Sequence, residues 1–233
     1  GLNYGEYNSS ASLVVDGDIA AASAEERFTR QKKTKSFPKK ALQFCLSHNE
    51  IKITDIDAVA QAWNPGAKWA TYNPIISSNR VKREDYFYTV PDHLFNFIGR
   101  KEIPNYVLQK MERGLPPIYY VQHHLCHAAN AFFLSSFNEA AVLTADWQGE
   151  LESVTKGTCH GNSIDILDTQ WMPHSIGMFY ATYTQLLGYQ PDNDEWKVMA
   201  MSAESVDSTD IENRLLSTIT LLDNGRFELD QKY

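Results

Sequence analysis

The stretch IYYVQHHLCHAANAFFL, residues 118–134, decides the fold class, because its periodicity changes from strand to helix within a few residues. Residues 118–121 are β-branched or aromatic, as in a short strand. From His123 to Leu134 the apolar residues recur with helical spacing. A strand that passes directly into a helix is the building unit of α/β proteins, so this stretch predicts an α/β fold.

Upstream of this stretch, three patterns predict further elements. Asp16-Gly17 lies between two apolar runs, which is a strong hairpin signal. Ser36-Phe37-Pro38 predicts the start of a helix, with Ser36 or Phe37 near its cap and Pro38 in its first turn. The apolar run 56–62 predicts a buried strand. The buried face of the predicted helix would consist of Ala41, Leu42, Cys45 and Leu46.

Downstream of this stretch, the apolar segment 139–147 predicts a strand that ends at the carboxylate of Asp146.

Upstream of it, residues 63–105 show no clear period, and we expect an irregular insertion or a lid there. Alternating strands and helices with embedded hairpins indicate an α/β protein with a mixed sheet. The other predicted elements are two strands of an antiparallel ribbon (153–158 and 163–171), two helices (175–187 and 210–219) and a hairpin turn (223–225).

The composition excludes several classes of protein. With 233 residues, 43% of them hydrophobic, the chain has enough apolar side chains for a folded core. Its formal net charge of −8 argues against a dedicated nucleic-acid-binding protein. No apolar run reaches the roughly 18 residues of a membrane-spanning helix, and no secretory leader is recognisable. We therefore expect a cytoplasmic protein without membrane or nucleic-acid partners, and the initial glycine suggests a fragment.

Two histidines provide the first candidate site. His123 and His127 are four residues apart, so on a helix both imidazoles project from one face and can share a metal ion. They follow a predicted strand, at the strand-to-helix junction where α/β proteins place their sites. Imidazole suits Fe, Zn, Ni or Cu, and further ligands must come from elsewhere. The alternative is a pair of partly exposed histidines at the start of a helix.

The carboxylate of Asp146 is the second candidate, because it ends an apolar strand just before a turn that contains Gly149. Such a carboxylate commonly holds a metal-bound nucleotide or a reacting hydroxyl, and backbone amides of the turn can line an anion. An ordinary Asx-turn that closes a hairpin is the alternative. Glu195 and Lys197 share a face on a strand but not on a helix, and a surface ion pair would explain them equally well.

A dense basic segment is the third candidate. Seven cationic side chains lie between Arg27 and Lys40, among them Arg30, Lys32 and Lys33. A phosphate-bearing substrate would explain this density. A solvated face explains it too, and charge alone favours the solvated face. Cys126 lies between the histidines, and we expect it to face the core.

Together these segments resemble the O-carbamoyltransferases, the family that includes the nodulation-factor, cephamycin and tobramycin carbamoyltransferases. The sequence HHLCHAA at 123–129 resembles the family's His-His-x-x-His-Ala signature, and AVLTADWQGE at 141–150 is similar to its Asp-Gly-x-Gly-Glu loop. The remaining matches, in the family's order, are 9–17, 25–33, 36–38, 173–180, 187–189 and 195–199.

The resemblance implies a fold of the actin/Hsp70/sugar-kinase (ASKHA) type, of which residues 1–233 would be the N-terminal part. The C-terminal half and an adenylate-forming domain would lie outside the chain, and the chain alone should not turn over. Family members make carbamoyladenylate from carbamoyl phosphate and ATP with Mg²⁺ and pass the carbamoyl group to a hydroxyl of a small molecule or glycan, as in antibiotic or nodulation-factor biosynthesis. The partners would be this acceptor, the C-terminal remainder of the enzyme and, in a homodimer, a second copy.

The resemblance also implies roles for the candidate residues. His123 and His127 would bind Fe(II) or another divalent metal, which would hold the adenylate phosphate. Asp146 would be a catalytic residue in the phosphate-facing loop. The residues expected to bind phosphate or substrate are Arg30, Lys32, Lys33, Gly149, Glu195 and Lys197.

Two positions depart from the family's pattern. Tyr7-Asn8 stands where the family has His-Asp, a pair that would help deprotonate the acceptor or complete the metal site. We expect Tyr7 and Asn8 to occupy the positions of those catalytic residues. Trp147 replaces the glycine after the loop aspartate, and its larger side chain would narrow the pocket for the acceptor or the nucleotide. Two alternatives follow: a non-catalytic module that keeps nucleotide or metal binding, and a metal-dependent hydrolase that uses His123, His127 and Asp146.

Overall fold

The computed structural model describes residues 1–5, 8–63, 116, 118–204 and 208–230. The chain divides into two compact units, Gly1–His123 and His124–Tyr233. The boundary falls after the first residue of a helix, α3 (His123–Phe133), so the helix itself runs through it. No helix among the described residues is both long and apolar enough to cross a membrane.

A five-stranded mixed sheet forms the centre of the first unit. Its strands lie in the order β3-β2-β1-β4-β5. Strand β1 pairs antiparallel with β2 and parallel with β4, and β4 pairs parallel with β5. The predicted mixed sheet is therefore confirmed. The bounds are β1 (Leu2–Asn3), β2 (Ser10–Val15), β3 (Asp18–Ala24), β4 (Val59–Ala62) and β5 (Ile118–Val121).

The predicted hairpin at Asp16-Gly17 is confirmed. These two residues alone connect β2 to β3, and both have positive φ angles, 52° for Asp16 and 94° for Gly17. Two consecutive positive φ angles define the type I′ turn, whose twist matches that of the flanking strands. This explains why Asp-Gly occupies the loop, since both residues tolerate the left-handed region better than most.

Helix α2 (Lys39–His48) packs on β2 and β3, and it buries the four predicted side chains, Ala41, Leu42, Cys45 and Leu46. Its start differs from the prediction, because Pro38 is the N-cap and not part of the first turn. The carboxylate of Glu25 provides the cap: it accepts hydrogen bonds from the backbone N–H groups of Lys40 (3.2 Å) and Ala41 (2.8 Å). Glu25 directly precedes the short helix α1 (Glu26–Thr29).

The second unit contains an antiparallel meander, β6-β7-β8, which confirms the predicted ribbon. Helix α4 begins after its N-cap Ser175 and ends before Gly188, which has a φ of 85°, as predicted. The helix predicted over 210–219 ends at Ser217, because Ile219 starts a strand. The bounds are β6 (Glu139–Ala145), β7 (Glu152–His160), β8 (Ser163–Trp171), α4 (Ile176–Leu186), α5 (Glu195–Ser202), α6 (Thr209–Ser217), β9 (Ile219–Leu221) and β10 (Phe227–Leu229).

Polar side chains fasten the β9-β10 hairpin to the meander. The carboxylate of Asp168 on β8 accepts hydrogen bonds from Arg226, beside the predicted turn at 223–225, and lies 2.9 Å from the ammonium of Lys156. The side chain of Gln170 donates to the backbone carbonyl of Phe227 (3.1 Å). Arg226, followed by Lys156, holds the pKa of Asp168 well below its usual range.

The insertion predicted over 63–105 lies, from residue 64 onward, outside the described residues. Trp63 itself is described and buried, and its backbone N–H donates to the carbonyl of Val121 (2.9 Å). This bond continues the pairing of β4 with β5 by one residue.

Candidate metal centre

Helix α3 presents its histidines on two different stripes. His124, Ala128 and Phe132 recur every four residues and form its buried stripe. His123 and His127 occupy the neighbouring stripe, which is more exposed. The predicted i, i+4 pair is therefore confirmed as two imidazoles on one face of a helix. The indole of Trp63 stacks on the ring of His123, with ring centroids 4.4 Å apart.

Asp146 supplies the third donor of the cluster. Its backbone N–H donates to the carbonyl of Ser153 (3.0 Å), which extends the β6-β7 ladder by one residue. The side chain then points to the face that carries Thr144, since residues two apart share a face of a strand. Its Oδ2 lies 3.1 Å from Nε2 of His127. One donor atom from each of His123, His127 and Asp146 lies within 4.8 Å of the other two.

This donor set fits a divalent transition metal. Two imidazoles and one carboxylate with free coordination positions are typical of non-haem Fe(II), and a similar set binds catalytic Zn²⁺. The side chains of His127 and Asp146 are 48% and 34% exposed, so substrate could reach an ion held between them. The spacing of the histidines left the further ligand open, and the structure offers the carboxylate of Asp146 as a candidate.

The loop after Asp146 is held by the start of helix α4. The Ser175 hydroxyl lies 2.6 Å from the carbonyl oxygen of Trp147 and 3.2 Å from that of Asp146, and it also caps the helix by accepting from Met178 N–H. A Cβ on Gly177 would lie 2.6 Å from Cα of Trp147, so only glycine permits this approach. No single-residue signal in the sequence marks Ser175 or Gly177 as functional, although both lie in the matched segment 173–180.

Gly149 and Glu150 complete the loop. The N–H of Gly149 donates to the carbonyl of Glu152 (2.7 Å), which closes the turn. Glu150 is only 2% exposed. Burial, followed by the nearby Glu150 carboxylate, raises the pKa of Cys126 to about 11. Cys126 is therefore a neutral thiol near pH 7. The residue is only partly buried, whereas we expected from the sequence that it would face the core.

The basic candidates belong to the first unit. Lys32 pairs with the carboxylate of Glu26 (2.9 Å), to which the backbone N–H of Lys33 also donates (3.3 Å). Arg30 ends helix α1 in the left-handed conformation, with a φ of 61°. Lys32 is 80% exposed in its side chain, as a solvated face would be. The phosphate-binding role of these three residues stays a prediction.

Glu195 and Lys197 lie on helix α5, so they do not share a face. Lys197 pairs instead with Asp194 (2.8 Å), and the Glu195 carboxylate accepts from the backbone N–H of Asp192 (2.6 Å). Their substrate-binding role likewise stays a prediction. Tyr7 lies outside the described residues. The carbonyl of Asn8 accepts a hydrogen bond from the side chain of Asn3 (2.9 Å), and the structure leaves the catalytic role of Asn8 untested.

Comparison with known families identifies the class of protein. Residues 1–233 match the family described as Carbamoyltransferase N-terminus. The chain therefore belongs to the carbamoyltransferase family and corresponds to its N-terminal part, which confirms the resemblance in the motifs.

The chain is also similar to individual curated proteins. The chain is 28% identical to nodulation protein NolNO of Sinorhizobium fredii, over 96% of the chain and 31% of that protein. It is 31% identical to an uncharacterized Synechocystis protein, over the whole chain and 38% of that protein. A third relative, an uncharacterized protein of Methanocaldococcus jannaschii, is 30% identical over 84% of the chain and 31% of its own length. The chain thus spans about a third of the length of these relatives.

Proposed function

We propose that this protein transfers a carbamoyl group from carbamoyladenylate, made from carbamoyl phosphate and ATP, to a hydroxyl of a small molecule or glycan. One observation carries the proposal: the donors of His123, His127 and Asp146 converge within 4.8 Å in a chain that matches the carbamoyltransferase N-terminus along its whole length. The two histidines and the aspartate come from the two family signatures, 123–129 and 141–150.

The carbamoyl transfer step requires little covalent chemistry from the protein itself. The acceptor oxygen attacks the carbamoyl carbon, the bond from that carbon to the phosphate oxygen breaks, AMP leaves, and the hydroxyl proton passes to a base. Because the mixed anhydride is already activated, the enzyme has to position it and stabilise the departing phosphate. A bound Fe(II) or other divalent ion would supply positive charge for that phosphate.

The residues of this chain would hold such an ion and orient the loop beside it. His123 and His127 present their rings from one helix, and Asp146 completes the set from the end of β6. Asp146 Oδ1 accepts from the backbone N–H of Trp147 (2.7 Å) while Oδ2 faces His127 (3.1 Å), so both carboxylate oxygens are engaged. Because Oδ2 is the oxygen on the side of the histidines, we propose Asp146 as a metal ligand and assign the base for the acceptor to another group. A general base of this kind contributes roughly 10²–10⁴ in rate.

The sheet topology supports the proposed ASKHA fold. In the first unit, three antiparallel strands, β1-β2-β3, adjoin two parallel strands, β4 and β5. The second unit also begins its sheet with three antiparallel strands, β6-β7-β8. Two units that start with the same meander are expected of a duplicated fold. We propose that the longer protein supplies the rest of the second unit, the adenylate-forming domain and the site for ATP with Mg²⁺.

The test is pyrophosphate release from ATP by the full-length protein, loaded anaerobically with Fe(II) and assayed with ATP and carbamoyl phosphate together and separately, because adenylate formation splits off pyrophosphate before any acceptor is needed. Pyrophosphate release that requires both substrates supports carbamoyladenylate chemistry. A folded, metal-loaded protein that releases none contradicts the proposal and favours the non-catalytic module, to which Tyr7-Asn8 and Trp147 point. Phosphoester cleavage without carbamoyl phosphate would instead indicate the hydrolase.

A further inference from the structure

His124 lies beside the proposed metal ligands but faces away from them. Its side chain belongs to the buried stripe of helix α3, and the residue is only 2% exposed. A buried imidazole is costly unless its nitrogens are hydrogen-bonded. The hydrogen-bond partners of the two ring nitrogens therefore indicate the role of His124.

Each ring nitrogen has a partner on the strands next to Asp146. Nδ1 lies 2.6 Å from the hydroxyl of Thr144, and Nε2 lies 3.2 Å from the backbone carbonyl of Glu152. A carbonyl can only accept, so the proton belongs on Nε2, and in the neutral ring Nδ1 accepts from Thr144. The Thr144 hydroxyl in turn lies 2.6 Å from that of Thr155, its directly opposite residue on β7.

These contacts reach both ends of the loop that carries Asp146. Thr144 precedes Asp146 by two residues on the same strand face. The Glu152 carbonyl accepts from Gly149 N–H (2.7 Å) as well as from His124, so one oxygen joins the loop closure to helix α3. The ring also fills the space beside Gly149, where a Cβ would lie 2.6 Å from its Cδ2.

We propose that His124 is a positioning residue that fixes the 146–152 loop to helix α3 and so keeps Asp146 opposite His123 and His127. This inference rests on the metal centre of the proposed function. Removing His124 leaves all three metal ligands in the chain but releases the loop at both ends. Losing such support around a metal site typically weakens metal binding by roughly 10–100-fold.

The test is Co²⁺ titration of the full-length protein, followed by ligand-field absorption, for wild type and three variants at His124. We expect His124→Ala to raise the Co²⁺ dissociation constant by roughly 10–100-fold. His124→Asn can keep the bond to Thr144, and His124→Gln can keep the bond to Glu152, so both should recover part of the affinity. Thr155→Val removes the hydroxyl contact to Thr144 but changes neither helix α3 nor the proposed metal ligands. It should weaken Co²⁺ binding less than His124→Ala does, and it provides a measurement if His124→Ala does not fold.

Phe132→Leu is the matched control, because it trims another residue of the same buried stripe, about two helical turns beyond His124. It should lower the melting temperature and leave the Co²⁺ affinity unchanged. Wild-type affinity in His124→Ala, or an equal loss in Phe132→Leu, would overturn the positioning role. Failure of the wild type to bind Co²⁺ would instead refute the metal centre itself, and the positioning role with it.

Discussion

Oδ2 of Asp146 lies 3.1 Å from Nε2 of His127, although the two residues are separated by nineteen positions and belong to different elements. The helix presents His127 next to His123, and the end of β6 delivers the carboxylate to the same point. With this contact, the histidine pair, whose role the sequence left open, becomes part of a cluster of three possible metal donors. The contact also places residues of two family signatures, 123–129 and 141–150, at one site.

We expect His127→Ala and Asp146→Asn each to abolish high-affinity binding of Fe(II) or Co²⁺, because each removes or weakens one of three donors. The loss should exceed the roughly 10–100-fold that follows from changes in supporting residues. Co²⁺ titration of the full-length protein measures it. His160→Ala is the control, because His160 is exposed at the far end of β7. If His127→Ala bound the metal as tightly as wild type, His127 would be excluded as a ligand.

Gly177→Ala should disturb the metal centre although alanine is the better helix former. On propensity alone the change would stabilise helix α4 by roughly 1 kcal/mol. The new Cβ, however, would lie 2.6 Å from Cα of Trp147 and must displace the loop after Asp146. We therefore expect weaker Co²⁺ binding, measured by titration. Thr182→Ala, at an exposed position of the same helix, is the control and should leave the Co²⁺ affinity unchanged. Unchanged affinity in Gly177→Ala as well would show that the loop can shift without disturbing the metal centre.

Glu25→Ala should loosen the start of helix α2. The carboxylate is buried and accepts from the N–H groups of Lys40 and Ala41, which would lose their acceptor. The loss of a cap costs roughly 0.5–2 kcal/mol, and hydrogen exchange of the first amides of α2 reports it locally. Glu26→Ala is the neighbouring control, because Glu26 pairs with the exposed Lys32, and faster exchange of the α2 amides in Glu26→Ala alone would refute the assignment.

The β9-β10 hairpin should be held less firmly in acid. Arg226 and Lys156 lower the pKa of Asp168 in the folded state. A lowered pKa means that the contribution is complete above the ordinary aspartate pKa of roughly 3.9 and is lost as the pH falls further toward the folded value. We expect exchange of the hairpin amides to accelerate below about pH 4 in wild type.

In Asp168→Asn this exchange should already be faster at pH 7 and should depend less on acid. Asp210→Asn is the control, because it removes the exposed ion pair of Asp210 with Arg214 and leaves the hairpin contacts intact. A wild-type hairpin that exchanges at the same rate at pH 3 and pH 7, after correction for intrinsic exchange, would contradict the role of Asp168.

The sequence by itself determined the elements whose signals are local. Asp16-Gly17 required the hairpin turn through its backbone conformation, and the helical spacing set the buried face of α2 and paired His123 with His127. The family motifs in their order identified the family. Local spacing left the arrangement of Glu195 and Lys197 open, because a two-residue offset has a different meaning on a helix and on a strand.

Only the tertiary structure decided which distant groups meet. It brought Asp146 to His127, Glu25 to the start of α2, Asp168 to Arg226, and His124 to the strands that flank the loop. Periodicity describes the surface of one element at a time. Contacts between elements depend on strand register and on the direction in which each element packs, and these are fixed by the burial of many side chains together. The sequence could therefore pair two candidate metal donors on one helix and name Asp146 from its own motif, but only the fold showed that the three lie together.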